Sequence, residues 1–163
     1  MKKCKKLDIG TPEPQYAVSE VELAYKFKAK PSERPRITSS SDAHKILMES
    51  WDDNKLDLCE EFKVLYVNRG NRVLSIFNHT RGGVSGTVFD ERHIILCAML
   101  QNASGIILCH NHPSNNLTPS HADKELTKKI VNCAKLFSIN AMDHLIVARH
   151  GYLSFADDGF MPS

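Results

Sequence analysis

The sequence predicts a mixed α/β domain, a central sheet flanked by helices, and three observations carry that reading. Short β-rich runs recur along the chain, and segments with helical spacing of apolar residues lie between them. One continuous apolar run, Gly105-Ile106-Ile107-Leu108-Cys109, has the character of a strand buried on both faces. Size and composition agree. A chain of 163 residues, 42% hydrophobic and 25% charged, suits one ordinary globular domain rather than a disordered or fibrous polymer.

The elements begin near Ile37. Ser41-Asp42 is an N-cap signal, and Ala43, Ile46, Leu47 and Trp51 follow near helical spacing, which predicts a helix over roughly 41–52. Phe62–Val67 and Val73–Phe77 are β-rich and joined by Asn68-Arg69-Gly70-Asn71, a hairpin signature. Arg81-Gly82-Gly83 then turns the chain toward a third strand, Val84–Phe89, which Gly86 is positioned to bulge. Asp90 caps a mostly apolar helix running to Ala103, in which Ile94, Ile95, Leu96, Ala98, Met99 and Leu100 predict near-complete burial. After the buried strand, Leu117–Ser120 leads into a helix of about 18 residues. Ala141–Ala148 and Tyr152–Phe155 finish as strands around Gly151. No internal repeat interrupts this order.

Residues 1–36 read differently, as a basic, proline-containing arm ahead of a single domain at 37–163. Pro12, Pro14, Pro31 and Pro35 forbid a long helix or a central strand there. Charge is concentrated in the same region, with nine Lys/Arg against five Asp/Glu over residues 1–40. The whole chain carries only +2, too little to imply nucleic-acid binding by the domain. The expectation is at most a weak, salt-sensitive DNA contact through the arm. Five scattered cysteines without a C-x-x-C pair read as reduced thiols. No apolar run approaches the roughly 20 residues of a membrane span, and the Lys-rich start lacks the apolar core of a signal peptide. The expected location is therefore the cytoplasm, without membrane contact.

One segment carries chemistry. His110-Asn111-His112-Pro113 directly follows the buried strand, at the carboxyl end where α/β sheets commonly place ligands. Residues two apart in an extended chain point the same way, so His110 and His112 share a face, and Pro113 biases His112 away from helical geometry. Ser120-x-x-Asp123 opens the next helix and puts Asp123 in its first turn. Two histidines, one aspartate and an open position are the donor pattern of a catalytic zinc site. The same Ser-x-x-Asp could also be a capping box alone. Cys109 points away from this face, and the side chains of Asp143 and His144, adjacent in a strand, must part, leaving one of them free to support the site from behind.

H-x-H-P-x(6)-S-x-x-D at 110–123 matches the JAMM signature of the JAB/MPN metalloenzymes at every fixed position. Gly86-Thr87-Val88, Asn102-Ala103-Ser104, His110–Ser114, Asp143-His144-Leu145-Ile146 and Ser154-Phe155 resemble its RadC-like branch. The resemblance spans about 37–158. It implies a cytidine-deaminase-like α/β/α sandwich, a Zn2+ cofactor held by His110, His112 and Asp123, and hydrolysis of peptide or isopeptide-linked protein substrates. It also implies a glutamate base ahead of an early strand. Glu60 and Glu61 both stand there, and the Glu-x-Phe pattern of RadC-like chains selects Glu60. Ser120 would by the same analogy hydrogen-bond the metal water or the oxyanion. Two departures stand out: no part of 1–36 reads as the helix-hairpin-helix region of RadC proteins, and Asn115 replaces a usual glycine. The alternative expectation is a nucleic-acid-associated accessory protein with a structural or vestigial metal site.

Overall fold

A computed structural model describes residues 30–81 and 90–162. The expected strand at Val84–Phe89 and most of the basic arm lie outside the described residues. The observed order is α1 (Ser40–Glu49), β1 (Glu61–Val67), β2 (Val73–Arg81), α2 (Glu91–Leu100), β3 (Gly105–Asn111), α3 (His121–Leu136), β4 (Asn140–Ala148) and β5 (Gly151–Ser154). A single turn of 3-10 helix at Pro31–Glu33 precedes them.

The five strands form one mixed sheet in the order β2-β1-β3-β4-β5, with only the β3–β4 pair parallel. The β1–β2 hairpin turns through Asn71 at φ 56, and Asn tolerates that left-handed geometry. Alternation along β1 divides the core into two layers. Phe62, Val64 and Tyr66 pack with Ile106, Leu108 and the helix residues Ile94, Ala98, Ile130 and Ala134. Leu65 and Val67 face the other way, with Ile107, Cys109, Leu145, Val147, Trp51 and the α1 residues Ala43 and Leu47. Helices α2 and α3 therefore cover one face and α1 the other. This is an α/β/α sandwich.

Three elements differ from their sequence reading. Helix α1 stops at Glu49, where Ser50 folds its hydroxyl back onto the Leu47 carbonyl at 2.6 Å, although Trp51 beyond it still enters the core. Helix α2 is amphipathic rather than buried all round: Ile94, Ile95 and Ala98 meet the sheet, while Leu96 and Met99 are 44% and 45% exposed on the far side. Its high apolar content hides the stripe that does the packing. Strand β3 continues past Cys109 through Asn111, because antiparallel pairing with β1 and parallel pairing with β4 both extend that far.

Ile37 is the first buried residue among those described. Its N–H donates to the Asn71 carbonyl at 2.8 Å, Pro35 accepts from Val73, and its side chain is 3% exposed. Among the described residues, no helix is long and apolar enough to cross a membrane. Cys59, Cys97, Cys109 and Cys133 are free thiols.

Candidate metal centre

The extension of β3 delivers His110 into the site as a strand residue, opposite Phe62 of β1 and beside Ile146 of β4. Its ring stacks on Phe62 with centroids 6.2 Å apart. His112 lies one residue beyond the strand, held by its N–H to the Val147 carbonyl at 3.0 Å. The next turn places Asn115 at φ 59, the left-handed geometry that a glycine would otherwise supply, and its Oδ1 accepts from the Arg149 N–H. The departure at Asn115 therefore leaves the loop intact.

Asp123 arrives from the first turn of α3. Ser120 is the N-cap: its Oγ accepts from the Asp123 N–H at 3.1 Å, and Asp123 Oδ2 accepts from the Ser120 N–H at 2.7 Å. The capping box is real and does not compete with the ligand reading. It uses one carboxylate oxygen and aims the other, Oδ1, at His110 Nε2, 3.3 Å away. Burial pushes the Asp123 carboxyl pKa up, but the contacts with His110 and Ser120 outweigh it and hold the pKa well below the usual carboxylate range.

His110, His112 and Asp123 offer ligand atoms that all lie within 4.8 Å of one another. Donors about 2.0–2.1 Å from a tetrahedral ion stand about 3.3 Å apart. The separations here bracket that value: 2.9 Å between the two Nε2 atoms, then 3.3 Å and 3.7 Å from them to the Asp123 carboxylate. His112 Nδ1 lies 2.5 Å from the Asn116 carbonyl, which only accepts, so Nδ1 carries a proton and Nε2 is the nitrogen turned inward to the cluster. Two imidazoles and one carboxylate suit a divalent transition metal such as zinc or iron(II). The side chains of His110, His112 and Asp123 are 2%, 17% and 12% exposed, so the cluster opens to solvent on the His112 side.

Of the two candidate bases, Glu61 is the first residue of β1 and is buried, on the face shared by Lys63 and Leu65. Glu60 is half-buried just before the strand. Phe62 pairs with His110, and strand alternation puts Glu60, two residues before Phe62, on the Phe62 side of the chain. Cys109 lies in the opposite core layer, as its position next to His110 requires. Asp143 and His144 do part: Asp143 accepts from Ser154, Ala156 and its own neighbour's N–H, whereas His144 Nε2 lies 2.8 Å from His110 Nδ1.

A family model for the RadC-like JAB domain matches residues 37–160. The chain belongs to the RadC-like JAB domain family. It is 41% identical over 124 residues to a UPF0758 protein of Flavobacterium johnsoniae, covering 76% of this chain and 53% of that protein. A UPF0758 protein of Porphyromonas gingivalis is 44% identical over 129 residues, 78% of this chain and 56% of its own length. UPF0758 protein YfjY of Escherichia coli is 39% identical over 102 residues, 63% of this chain and 64% of its own. The chain thus spans about half to two thirds of the length of these relatives.

Two residues of this RadC-like JAB domain escaped the sequence reading. Asn111, between the histidines, is fully buried; its Oδ1 accepts from the Glu61 N–H at 2.7 Å, and its Nδ2 donates to the Leu56 and Cys59 carbonyls at 2.6 and 2.9 Å. It ties the loop that carries Glu60 to the strand that carries His110. Asn111→Ala would strand three buried backbone groups at about 1–3 kcal/mol each before relaxation, so a loss of about 2–4 kcal/mol in urea unfolding is expected. Thr127 is the other. It sits four residues after Asp123, on the same helix face, and that spacing was the available signal.

Proposed function

We propose that this chain is a zinc-dependent hydrolase of peptide or isopeptide bonds, with His110, His112 and Asp123 holding the ion, Glu60 as general base and Ser120 as oxyanion donor. The observation that supports this most is the convergence of three ligand-type side chains from β3, its following loop and α3 on one solvent-facing point. The bond type follows from JAB-domain kinship. When bound, zinc supplies a Lewis acid for the carbonyl oxygen and lowers the pKa of a coordinated water.

The protein groups supply the rest. Glu60 takes a proton as the water oxygen adds to the substrate carbonyl carbon. It then returns that proton to the amide nitrogen, so that the C–N bond breaks to a carboxylic acid and an amine, and the acid proton passes to the amine to leave a carboxylate and an ammonium. The Ser120 hydroxyl accepts from Asp123, which leaves its own proton free to be donated to the developing oxyanion.

The deciding experiment uses the full chain expressed with zinc. Metal analysis should give about one zinc per chain. Mass spectrometry of a linear peptide library and of lysine-linked conjugates should show cleavage that stops on chelation and returns with zinc. A folded protein that takes up no zinc, or cleavage that survives complete metal removal, overturns the reading.

A further inference from the structure

Behind the proposed ligands runs a line of three hydrogen bonds that ends on the helix carrying Asp123. His110 Nδ1 lies 2.8 Å from His144 Nε2, His144 Nδ1 lies 2.7 Å from Thr127 Oγ1, and Thr127 Oγ1 lies 2.6 Å from the backbone carbonyl of Asp123. Thr127 and His144 are both fully buried. His144 is enclosed by Phe62 and Phe155, with ring centroids 5.8 and 4.8 Å away.

The proton positions follow from donor counting. A carbonyl only accepts, so the single hydroxyl proton of Thr127 lies on the Asp123 carbonyl. Thr127 Oγ1 must then accept from His144, which fixes the His144 proton on Nδ1. Enclosed between two phenyl rings and without a carboxylate on either nitrogen, His144 holds only one proton, because a buried unpaired charge is costly. Its Nε2 is therefore a lone pair and accepts from His110 Nδ1–H. His110 thus keeps its Nδ1 proton toward His144 and turns Nε2, the nitrogen able to coordinate a metal, toward His112 and Asp123.

We infer that Thr127 and His144 are positioning residues that lock His110 in its metal-binding tautomer and tie its ring to the helix turn carrying Asp123. The inference rests on the metal reading above, and deepens it. Ligand histidines commonly donate their second N–H to a carboxylate or a carbonyl. Here the acceptor is another imidazole, whose own tautomer has to be set by a third group. That is the task of Thr127. Without its hydroxyl, His144 is free to move its proton to Nε2, which turns His110 round so that its proton faces the metal position.

The test uses the full chain and three versions: wild type, Thr127→Ser, which keeps the hydroxyl, and Thr127→Val, which keeps the shape. Long-range proton–nitrogen NMR correlations of the metal-free wild type should show both His110 and His144 protonated on Nδ1. Zinc affinity, measured by competition with a coloured chelator, should fall about 10–100-fold in Thr127→Val and stay within about threefold of wild type in Thr127→Ser. Equal zinc affinity of folded Thr127→Val and wild type overturns the inference, as does a His110 Nδ1 that carries no proton. The wild-type NMR result stands whether or not Thr127→Val folds. Expected tautomers in a wild type that binds no zinc would uphold the lock and overturn the metal reading instead.

Discussion

His112→Ala is expected to lose zinc and hydrolysis together, with metal affinity falling by more than the roughly 100-fold that removal of an outer hydrogen-bond partner costs. Three protein ligands hold a catalytic zinc, and removing one leaves two donors and additional exposed positions. His112 is the better of the two histidines for this test. Its side chain is 17% exposed, with Nδ1 on the Asn116 carbonyl and Nε2 facing the other two ligands, whereas His110 is buried against Phe62 and bonded to His144, so its truncation would open a core cavity. Binding and folding can therefore be read apart. Zinc binding to the native state raises its melting temperature by mass action, so added zinc should shift the wild type upward and leave His112→Ala nearly where it was. A variant that keeps the full zinc-induced shift would remove His112 from the ligand set.

How far the site could be read in advance depended on whether its residues stand close in the chain. His110, His112 and Asp123 fall within 14 consecutive residues, and each owes its position to local rules: strand alternation, the Pro113 bias and a capping box. The structure brings them together as those rules predict. Thr127 and His144 meet across 17 residues of chain, and no local rule pairs a helix threonine with a strand histidine. His144 could be placed on one face or the other, but what it touches is set by where β4 lies beside β3. Asn111 was hidden for another reason. Its letters sit inside the motif, yet its partners are backbone groups of the loop before β1 and of the strand's first residue, 50–55 residues earlier, which side-chain patterns do not report.

The fold shows the same division. Strands and helices followed from apolar spacing, and the hairpin from Asn68–Asn71. The partial exposure of α2 did not follow, because a helix with apolar residues all round gives no sign of which side the sheet will take. The sheet order puts β3 at the centre, between β1 and β4, and this makes the site a junction of three strands and a helix rather than a property of one motif.

Glu60→Gln should separate proton transfer from metal binding. If Glu60 takes a proton from the attacking water, the amide variant keeps zinc near wild-type stoichiometry but loses about 10²–10⁴-fold in hydrolysis, the usual span of a general base. The residue lies outside the ligand cluster, so its substitution spares all three ligands. Glu61→Gln is the matched control. It changes the same chemical group one residue away, on the opposite face of the sheet by strand alternation. Glu61 is buried near Lys63 and its neutralisation can cost stability, so rates are compared per folded molecule at a temperature where both variants are native. Glu60→Gln inactive with zinc retained, beside an active Glu61→Gln, assigns the base. If instead Glu61→Gln is the inactive variant, or Glu60→Gln loses zinc as fully as His112→Ala, the glutamate has been placed on the wrong residue or in the wrong role.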